Sequence, residues 1–569
     1  AVFFPIVFME GMTGRLFREF SIVISGSVII SSFAALTFTP MLATKLLVKR
    51  EKQNWFYLKT EPFFEGMNRL YSRSLAVFLH KRWIALPFVA ITIGIIAFLW
   101  NYIPAEMAPL EDRSQISINT RGAEGVTYEY IRDYTEDIND LVDSIVPDAE
   151  SVTARVSSGS GNVRITLKDM KDRDYTQMDV AEKLSAAVQK KTMARSFVQQ
   201  SSSFGGRRGG MPVQYVLQAT NIEKLQEVLP KFMAKVYENP VFQMADVDLK
   251  FSKPEARINI NRDKASIMGV STRNIAQTLQ YGLSGQRMGY FYMNGKQYEI
   301  LGEINRQQRN TPANLKSIYI RSDKGDMVQL DNLIELTGGI APPKLYRYNR
   351  FVSATVSAGL AEGKTIGQGL DEMDKIAKET LDDTFRTALT GDSKEYRESS
   401  SSLMFAFILA IVLIYLILAA QFESFKDPLI IMLTVPLAIA GALVFMYFGG
   451  ITMNIFSQIG IIMLIGLVAK NGILIVEFAN LKQETGEDKM TAIKDAALQR
   501  LRPILMTSAS TILGLIPLAF ASGEGCNQRI AMGTAVVGGM LVSTLLTMYI
   551  VPAIYSYIST NRSNKLKQE

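Results

Sequence analysis

The sequence predicts an α-helical transmembrane bundle plus an α+β region outside the lipid, and three observations carry that expectation. Apolar residues make up 48% of the 569, an ordinary share, yet they concentrate at both ends while residues 104–400 read as soluble. The ends hold uncharged runs long enough to cross a hydrocarbon core of about 30 Å. Between them, strand-like alternation and helical periodicity recur twice in the order β-α-β-β-α-β.

Composition argues against several classes of function. The single cysteine, Cys526, rules out a disulfide within the chain, and the single histidine, His80, sits beside Lys81 and Arg82. No metal site is assigned on those grounds. The net charge of +7 follows from membrane topology and not from nucleic-acid binding, because lysine and arginine cluster at the borders of the apolar runs. The chain opens on Ala1 with no signal-peptide pattern, and its first nine residues are too short a run to span, so they read as the end of a truncated helix.

In chain order, residues 10–19 read as a polar loop and 20–44 as a crossing. Residues 45–83 are rich in lysine and arginine, which marks their side as cytoplasmic. Within them Phe63, Met67, Leu70, Tyr71, Leu75 and Phe78 recur at helical spacing. That pattern fits an amphipathic helix on the inner membrane surface and, equally, ordinary packing against a neighbouring helix. Residues 84–105 cross back, so the segment 1–105 holds the truncated end, two further spans and the cytoplasmic stretch.

The first soluble unit, 106–211, reads as strand 114–120, helix 128–145, strand 162–168 and helix 178–190. After a Gly- and Arg-rich linker (201–212) the second begins with strand 213–219, helix 223–237 and strand 245–250. It finishes with strand 351–359, helix 366–380 and strand 385–391, so it comprises 212–254 and 350–398. A β-rich insertion, 255–349, separates the halves, with Asn294-Gly295 and Lys324-Gly325 as hairpin turns. Residues 399–560 hold five spans. One uncharged run, 428–469, would make about 63 Å of helix, twice the bilayer, so it must reverse, and Gly449-Gly450 is the expected turn. The tail 561–569 is basic and cytoplasmic.

The residue around which this layout turns is Lys470, set with Asn471 in the apolar run GLVAKNGILIVEF (466–478). A lysine near a bilayer centre costs about 2.5–3.5 kcal/mol, so it is tolerated chiefly where it faces a partner or a hydrated cavity. The alternative is that it snorkels to the surface. Glu477, seven residues on, lies about 10 Å along the axis, too far to pair. No other carboxylate falls within an apolar span, so the counter-charge is expected from outside this sequence. Thr507, Ser508, Ser510 and Thr511 crowd a later helix and offer hydroxyls near Lys470 if the two helices pack. A buried lysine with no acid in its own chain, beside a large outer domain, points to proton-driven conformational work.

Other chemistry is weaker. GLAEGKT (359–365) follows a strand and precedes a helix, but a phosphate-binding loop needs four residues between its first glycine and Gly-Lys, and here there are three. It reads as a strand-to-helix turn. With one histidine no Ser-His-Asp set can be built, so no enzyme activity is assigned. The 26 methionines raise copper or silver transport, with Met288, Met293, Met193 and Met211 as the ones to watch, although scattered methionine also fills cores.

GLVAKNGILIVEFA (466–479), RLRPILMTS (500–508), GMTGRLFREF (11–20) and LAAQFESFKDPL (418–429) resemble the C-terminal half of efflux transporters of the resistance-nodulation-division (RND) superfamily, hydrophobe/amphiphile subfamily. The resemblance implies a trimeric proton antiporter in the inner membrane of a Gram-negative bacterium. No cofactor beyond the coupling proton is implied. A periplasmic membrane-fusion adaptor and an outer-membrane channel complete the pump. It further implies that Lys470 pairs with two aspartates on the N-terminal half of the same transporter, with Asn471, Arg500 and Thr507 completing the relay. The α+β units would be periplasmic porter subdomains enclosing a substrate cleft, and residues 255–349 a docking lobe. Where multidrug members carry a phenylalanine-bearing glycine loop, this chain has TARVSSGSGNVR (153–164), with no aromatic residue and with Arg155 and Arg164. Thr153, Arg155 and Arg164 are therefore the candidate cleft residues, and anionic or amphipathic cargo is the expectation. Metal-cation export and a non-exporting membrane protein of related topology remain the alternatives.

Overall fold

The computed structural model describes residues 4, 8, 9, 11–46, 55–200, 211–342, 344–361 and 363–560. The readings of the chain's opening, of most of the 201–212 linker and of the basic tail fall outside the described residues. Three helices come first: α1 (Gly11–Leu46), α2 (Trp55–His80) and α3 (Ala85–Tyr102). The stretch expected as a polar loop is a correction: it is the first turns of α1, which starts at Gly11 with φ +78°.

The chain then builds a four-stranded sheet from β1 (Gln115–Arg121), α4 (Tyr128–Ile145), β2 (Ser151–Ser157), β3 (Ser160–Thr166), α5 (Gln177–Val188) and β4 (Arg195–Gln200). The strands lie β2-β3-β1-β4, every pair antiparallel. Strand alternation turns Ile116, Ile118, Val163 and Ile165 to one face, where Tyr134, Ile138 and Val142 of α4 and Val180 and Leu184 of α5 cover them. Residues 153–164, expected as a glycine loop, form the hairpin of β2 and β3. Val152, Val156, Val163 and Ile165 supply the alternation, and Gly159, at φ +79°, makes the tight turn. Thr176 and Asp179 form a capping box that starts α5.

A second sheet starts with β5 (Val213–Ala219), α6 (Ile222–Glu238) and β6 (Phe242–Val247). The chain then passes into a separate compact body made of residues 122–131 and 249–346, the remainder (1–121, 132–248 and 347–569) forming the other. The smaller body contains β7 (Lys253–Ile260), α7 (Arg262–Ile267), α8 (Thr272–Ser284), β8 (Gln286–Met293), β9 (Lys296–Gly302), β10 (Tyr319–Arg321), β11 (Met327–Gln329) and β12 (Ile334–Ala341). β7 and β12 pair along their whole length over a core of Ala265, Val270, Ile275, Ile320, Leu330 and Leu333. The β8-β9 turn has Asn294 at φ 52° and Gly295 at φ 73°, both left-handed, as a two-residue hairpin of this kind requires.

Back in the larger body, β13 (Tyr346–Tyr348), β14 (Phe351–Leu360), α9 (Ile366–Thr380) and β15 (Arg386–Leu389) complete the second sheet. Its strands run β15-β5-β14, with β6 also on β14. In both sheets the fourth strand of the unit is followed in space by the first, third and second. Of the 359–365 motif, Gly359 and Leu360 end β14, and Thr365 caps α9 with Gln368.

Six helices follow: α10 (Gly391–Phe422), α11 (Asp427–Met432), α12 (Thr434–Phe448), α13 (Ile455–Glu484), α14 (Lys489–Ala519) and α15 (Cys526–Ile558). Among the described residues, seven helical segments are long and apolar enough to cross a membrane. The expected reversal occurs at Gly449-Gly450, with Gly450 at φ +64°. α15 is the hub, touching α12, α13 and α14. Its small residues let backbones approach: a Cβ on Gly538 would overlap Phe445, and one on Gly539 would stand 2.9 Å from the Ala438 carbonyl oxygen. α2 lays Leu75 and Leu79 inward, and its Tyr71 hydroxyl donates to the Met548 carbonyl at 2.6 Å, whereas Phe63, Leu70 and Val77 stay exposed. One apolar stripe of α2 therefore packs and a second faces outward.

Between α3 and β1, residues 104–112 are stitched to both neighbours. Met453 N donates to the Pro104 carbonyl (2.8 Å) and Glu106 N to the Met453 carbonyl (3.0 Å), just ahead of α13. The buried Glu111 carboxylate accepts from Gln528 N (2.8 Å) and Asn527 N (3.4 Å), so it caps α15. Asp112 turns the other way, accepting from Ser114 N (3.0 Å), Gln177 N (2.8 Å) and the buried Arg173 guanidinium (2.5 Å).

Candidate functional site

α13 begins with Asn454, which accepts from Phe456 N and Ser457 N, and runs 30 residues to Glu484. Lys470 falls near its middle, about 22 Å from the first residue at about 1.5 Å per residue. Most of the helix is apolar and buried, including Ile461, Leu464, Ile465 and Val468. Lys470 is exposed, and it makes no hydrogen bond or ion pair with any described residue. Its charge thus stands on the outside of the bundle this chain builds, on a helix whose remaining faces are occupied.

Asn471, one residue on, points inward and is buried. Its amide nitrogen lies 3.2 Å from Ser508 Oγ and 3.5 Å from Thr544 Oγ1, and the Thr544 hydroxyl donates to Ser508 at 3.2 Å. This triad joins α13, α14 and α15, and it fixes the register of α13 against α14. Lys470 and Thr507, the residues next to Asn471 and Ser508, are consequently held at the same depth. The Thr507 hydroxyl donates to its own helix at the Ile504 carbonyl, 3.1 Å away. Arg500 lies two turns farther along, its guanidinium 4.5 Å from the Phe478 ring centroid and its Nε buried with no partner among the described residues. The structure brings Asn471, Ser508 and Thr544 into contact. It does not bring Lys470, Arg500 and Thr507 into contact with one another.

A second buried network closes the end of the bundle where α13 finishes. Asp427, at the start of α11, accepts from Asn480 Nδ2 at 3.1 Å; the Tyr555 hydroxyl donates to Asn480 Oδ1 at 2.5 Å, and Gln483 Nε2 donates to that hydroxyl at 2.6 Å. Sequence reasoning missed this network and Thr544 alike. The only available signals were polar residues in apolar helices, and their partners lie far away in the chain.

The candidate cleft residues lie on the first sheet's face opposite its core. Thr153 pairs with Arg164 across β2 and β3, Arg155 pairs with Asn162, and all three candidates are exposed. An amide ladder runs beside them: Asn162 Nδ2 donates to Asn119 Oδ1 (2.8 Å) and Asn119 Nδ2 to Gln199 Oε1 (2.9 Å). At the end of this face Arg121 and Arg195 flank the Asp246 carboxylate at 3.1 and 3.4 Å. β4 adds Phe197, paired with Asn119 and hence on the same face. A ring absent from the hairpin is thereby present on the same face, on the strand at the sheet's opposite edge. Phe197 and Gln199 also line a cavity of about 230 Å³, closed by Met211, Pro212, Gln243 and Met244. This surface offers guanidinium groups, carboxamides and one aromatic ring, a set suited to an amphipathic molecule with an anionic head.

Of the methionines singled out, Met288, Met293 and Met193 are exposed, and Met211 lines the cavity. A profile of the AcrB/AcrD/AcrF family matches residues 1–559. The chain belongs to that family. An uncharacterized transporter of Haemophilus influenzae is similar to it, 31% identical over 572 residues, and the match covers 98% of this chain. It covers 55% of the relative, so the chain spans about half the length of the curated protein it matches. Family membership, with seven helices among the described residues long and apolar enough to cross a membrane, places the chain among the multi-pass membrane proteins of that family.

Proposed function

We propose that this transporter exports small organic or amphipathic compounds by proton antiport, and that Lys470 carries the coupling. The supporting observation is the cation itself: an ammonium at mid-helix, exposed on this chain, without a described partner, beside a buried triad that holds its helix in register. Such a group fits an interface with acidic residues on another helix, whose protonation would release it and let helices shift. Arg500 and Thr507 complete the relay in this reading. The acids would come from the N-terminal half of the transporter. The assembly would be a homotrimer in the inner membrane, with its sheets in the periplasm, an adaptor around it and an outer-membrane channel above residues 255–349. Arg155, Arg164 and Thr153 would receive the anionic part of the cargo.

Reconstitution of the whole transporter tests both claims. Lys470→Met should abolish efflux driven by a proton gradient while leaving membrane insertion intact; full efflux in that variant would refute the coupling role. Arg155→Ala with Arg164→Ala should impair export of anionic detergents more than of neutral dyes, and equal loss of both would refute the cargo assignment.

A further inference from the structure

The loop that leads into the Lys470 helix is tied along its length to the segment between α3 and β1. Ala105 and Met453 pair as neighbours do in a parallel sheet, with Met453 N donating to the Pro104 carbonyl (2.8 Å) and Glu106 N to the Met453 carbonyl (3.0 Å). Two residues on, Ile455 N donates to the Met107 carbonyl at 3.2 Å, and the buried Met107 side chain packs with Ile455 and Ile459. Side chains extend the contact. The Thr452 hydroxyl donates to the half-buried Glu106 carboxylate and accepts from Asn454 Nδ2 at 3.1 Å, while Asn454 Oδ1 accepts from Phe456 N and Ser457 N, each at 3.0 Å. A chain of hydrogen bonds therefore leads from the first turn of α13 to a single carboxylate. Bonds to an ionised acceptor are about twice as strong as neutral ones, so Glu106 supplies the firmest side-chain hold on this loop.

The same segment ends in the first sheet. Asp112 accepts from Gln177 N (2.8 Å) and from Arg173, and the Ser114 carbonyl accepts from Leu167 N (2.7 Å). Only residues 107–111 separate Glu106 from Asp112, and within them the Leu110 carbonyl and the Glu111 carboxylate are bonded to the head of α15. α15 is in turn locked to α13 through Asn471 and Thr544. A displacement of α13 thus has a short, hydrogen-bonded path to β1. The second sheet is attached elsewhere: Ser393 of α10 accepts from Gln214 N (2.8 Å) and donates to the Pro212 carbonyl (3.1 Å), at the start of β5.

We propose that Glu106 is a positioning residue for transport: it latches the head of the Lys470 helix to residues 104–107, so that a shift of α13 is delivered to the first sheet. The role rests on the antiport reading, in which freeing Lys470 moves its helix. Coupling over such distances is carried by contiguous packed and hydrogen-bonded groups, and α13 itself is the rigid rod between Lys470 and the latch. A carboxylate that only stabilised the loop would leave transmission to the sheet intact when removed.

Hydrogen exchange of the whole transporter in lipid nanodiscs, read by mass spectrometry, separates the two roles. Against wild type, Lys470→Met should change protection both in residues 456–469 of α13 and in β1 and β3. Glu106→Ala should speed exchange of the Met453 and Ile455 amides about tenfold, as loss of a hydrogen bond to a charged group implies. In that background Lys470→Met should still alter α13 but no longer β1 and β3. Glu106→Gln keeps an acceptor for Thr452 and should restore the transmission, together with most of the efflux that Glu106→Ala loses. If Lys470→Met leaves α13 unchanged, the antiport reading falls and the latch with it. If β1 and β3 still follow Lys470→Met in Glu106→Ala, or if Glu106→Gln fails as Glu106→Ala does, the latch is refuted and the antiport reading stands. Loss of protection in β5 and β14 on Glu106→Ala would make Glu106 a general stabiliser and refute the latch equally.

Discussion

Replacing Arg173 with alanine should loosen the first sheet at the point where it is anchored, and the size of the effect follows from its contacts. The guanidinium is fully buried and reaches Asp112 (2.5 Å), Ser114 Oγ (3.2 Å) and the carbonyls of Lys168 (3.0 Å) and Tyr175 (2.9 Å). Removing one partner of a buried pair costs about 3–5 kcal/mol, because the other charge stays behind in a poor solvent. Asp112 keeps two amide donors, Ser114 N and Gln177 N, so the lower end, about 3 kcal/mol, is expected. Hydrogen exchange of the full chain, followed by mass spectrometry on β1 and β3, reads this as about 100-fold faster exchange, since every 1.4 kcal/mol is about tenfold. The double variant Asp112→Asn with Arg173→Met removes both charges and should recover most of the protection. Less than about threefold acceleration in Arg173→Ala, or a double variant as fast as the single, would refute the reasoning.

Gly539→Ala forces a methyl toward Leu464 and the Ala438 carbonyl and should destabilise the bundle by about 1–3 kcal/mol, read by resistance to denaturing detergent. Asn471→Leu deletes two hydrogen bonds in the α13-α14-α15 triad; at about 0.6 kcal/mol each it should cost about 1 kcal/mol by the same assay, and a larger loss would mean the triad does more than set register. In the smaller body the Arg306 guanidinium, hydrogen-bonded to Glu129, holds that carboxyl down at about 2. Because the folded value is lowered, the pair's stabilisation is complete above the unfolded carboxyl's usual value of about 4.3 and disappears as pH falls through about 2. Carboxyl titration by NMR should show Glu129 ionised at pH near 3 in the native protein and its midpoint moved up toward the usual value of about 4.3 in Arg306→Ala.

The long-period features were legible from residues alone. α9 was marked by its apolar period, and β5 by its apolar and aromatic residues. Lys470 stood out because a charge in an apolar run has few innocent explanations. The β2 strand was not legible: Ser157, Ser158, Gly159, Ser160 and Gly161 look like loop, and only pairing with β3 makes the flanking residues a strand. Phe197 escaped for a related reason, since its place on the same sheet face as Arg155 depends on how β4 pairs with β1. Thr544 was silent because a threonine in a membrane helix satisfies its own backbone as readily as a neighbour. Register between distant segments, invisible in local composition, accounts for each of these.

Residues 104–112 bring a practical consequence for protein engineering. A chimaera that exchanges the β1 to β15 region for that of a relative cuts the chain inside a seam shared by three owners: the 452–455 loop, the head of α15 and the Arg173 anchor. Splices placed at Ala105 would therefore mismatch two of them, whereas transplanting the seam together with Thr452 to Ile455 and Asn527-Gln528 keeps every hydrogen bond with its original partner.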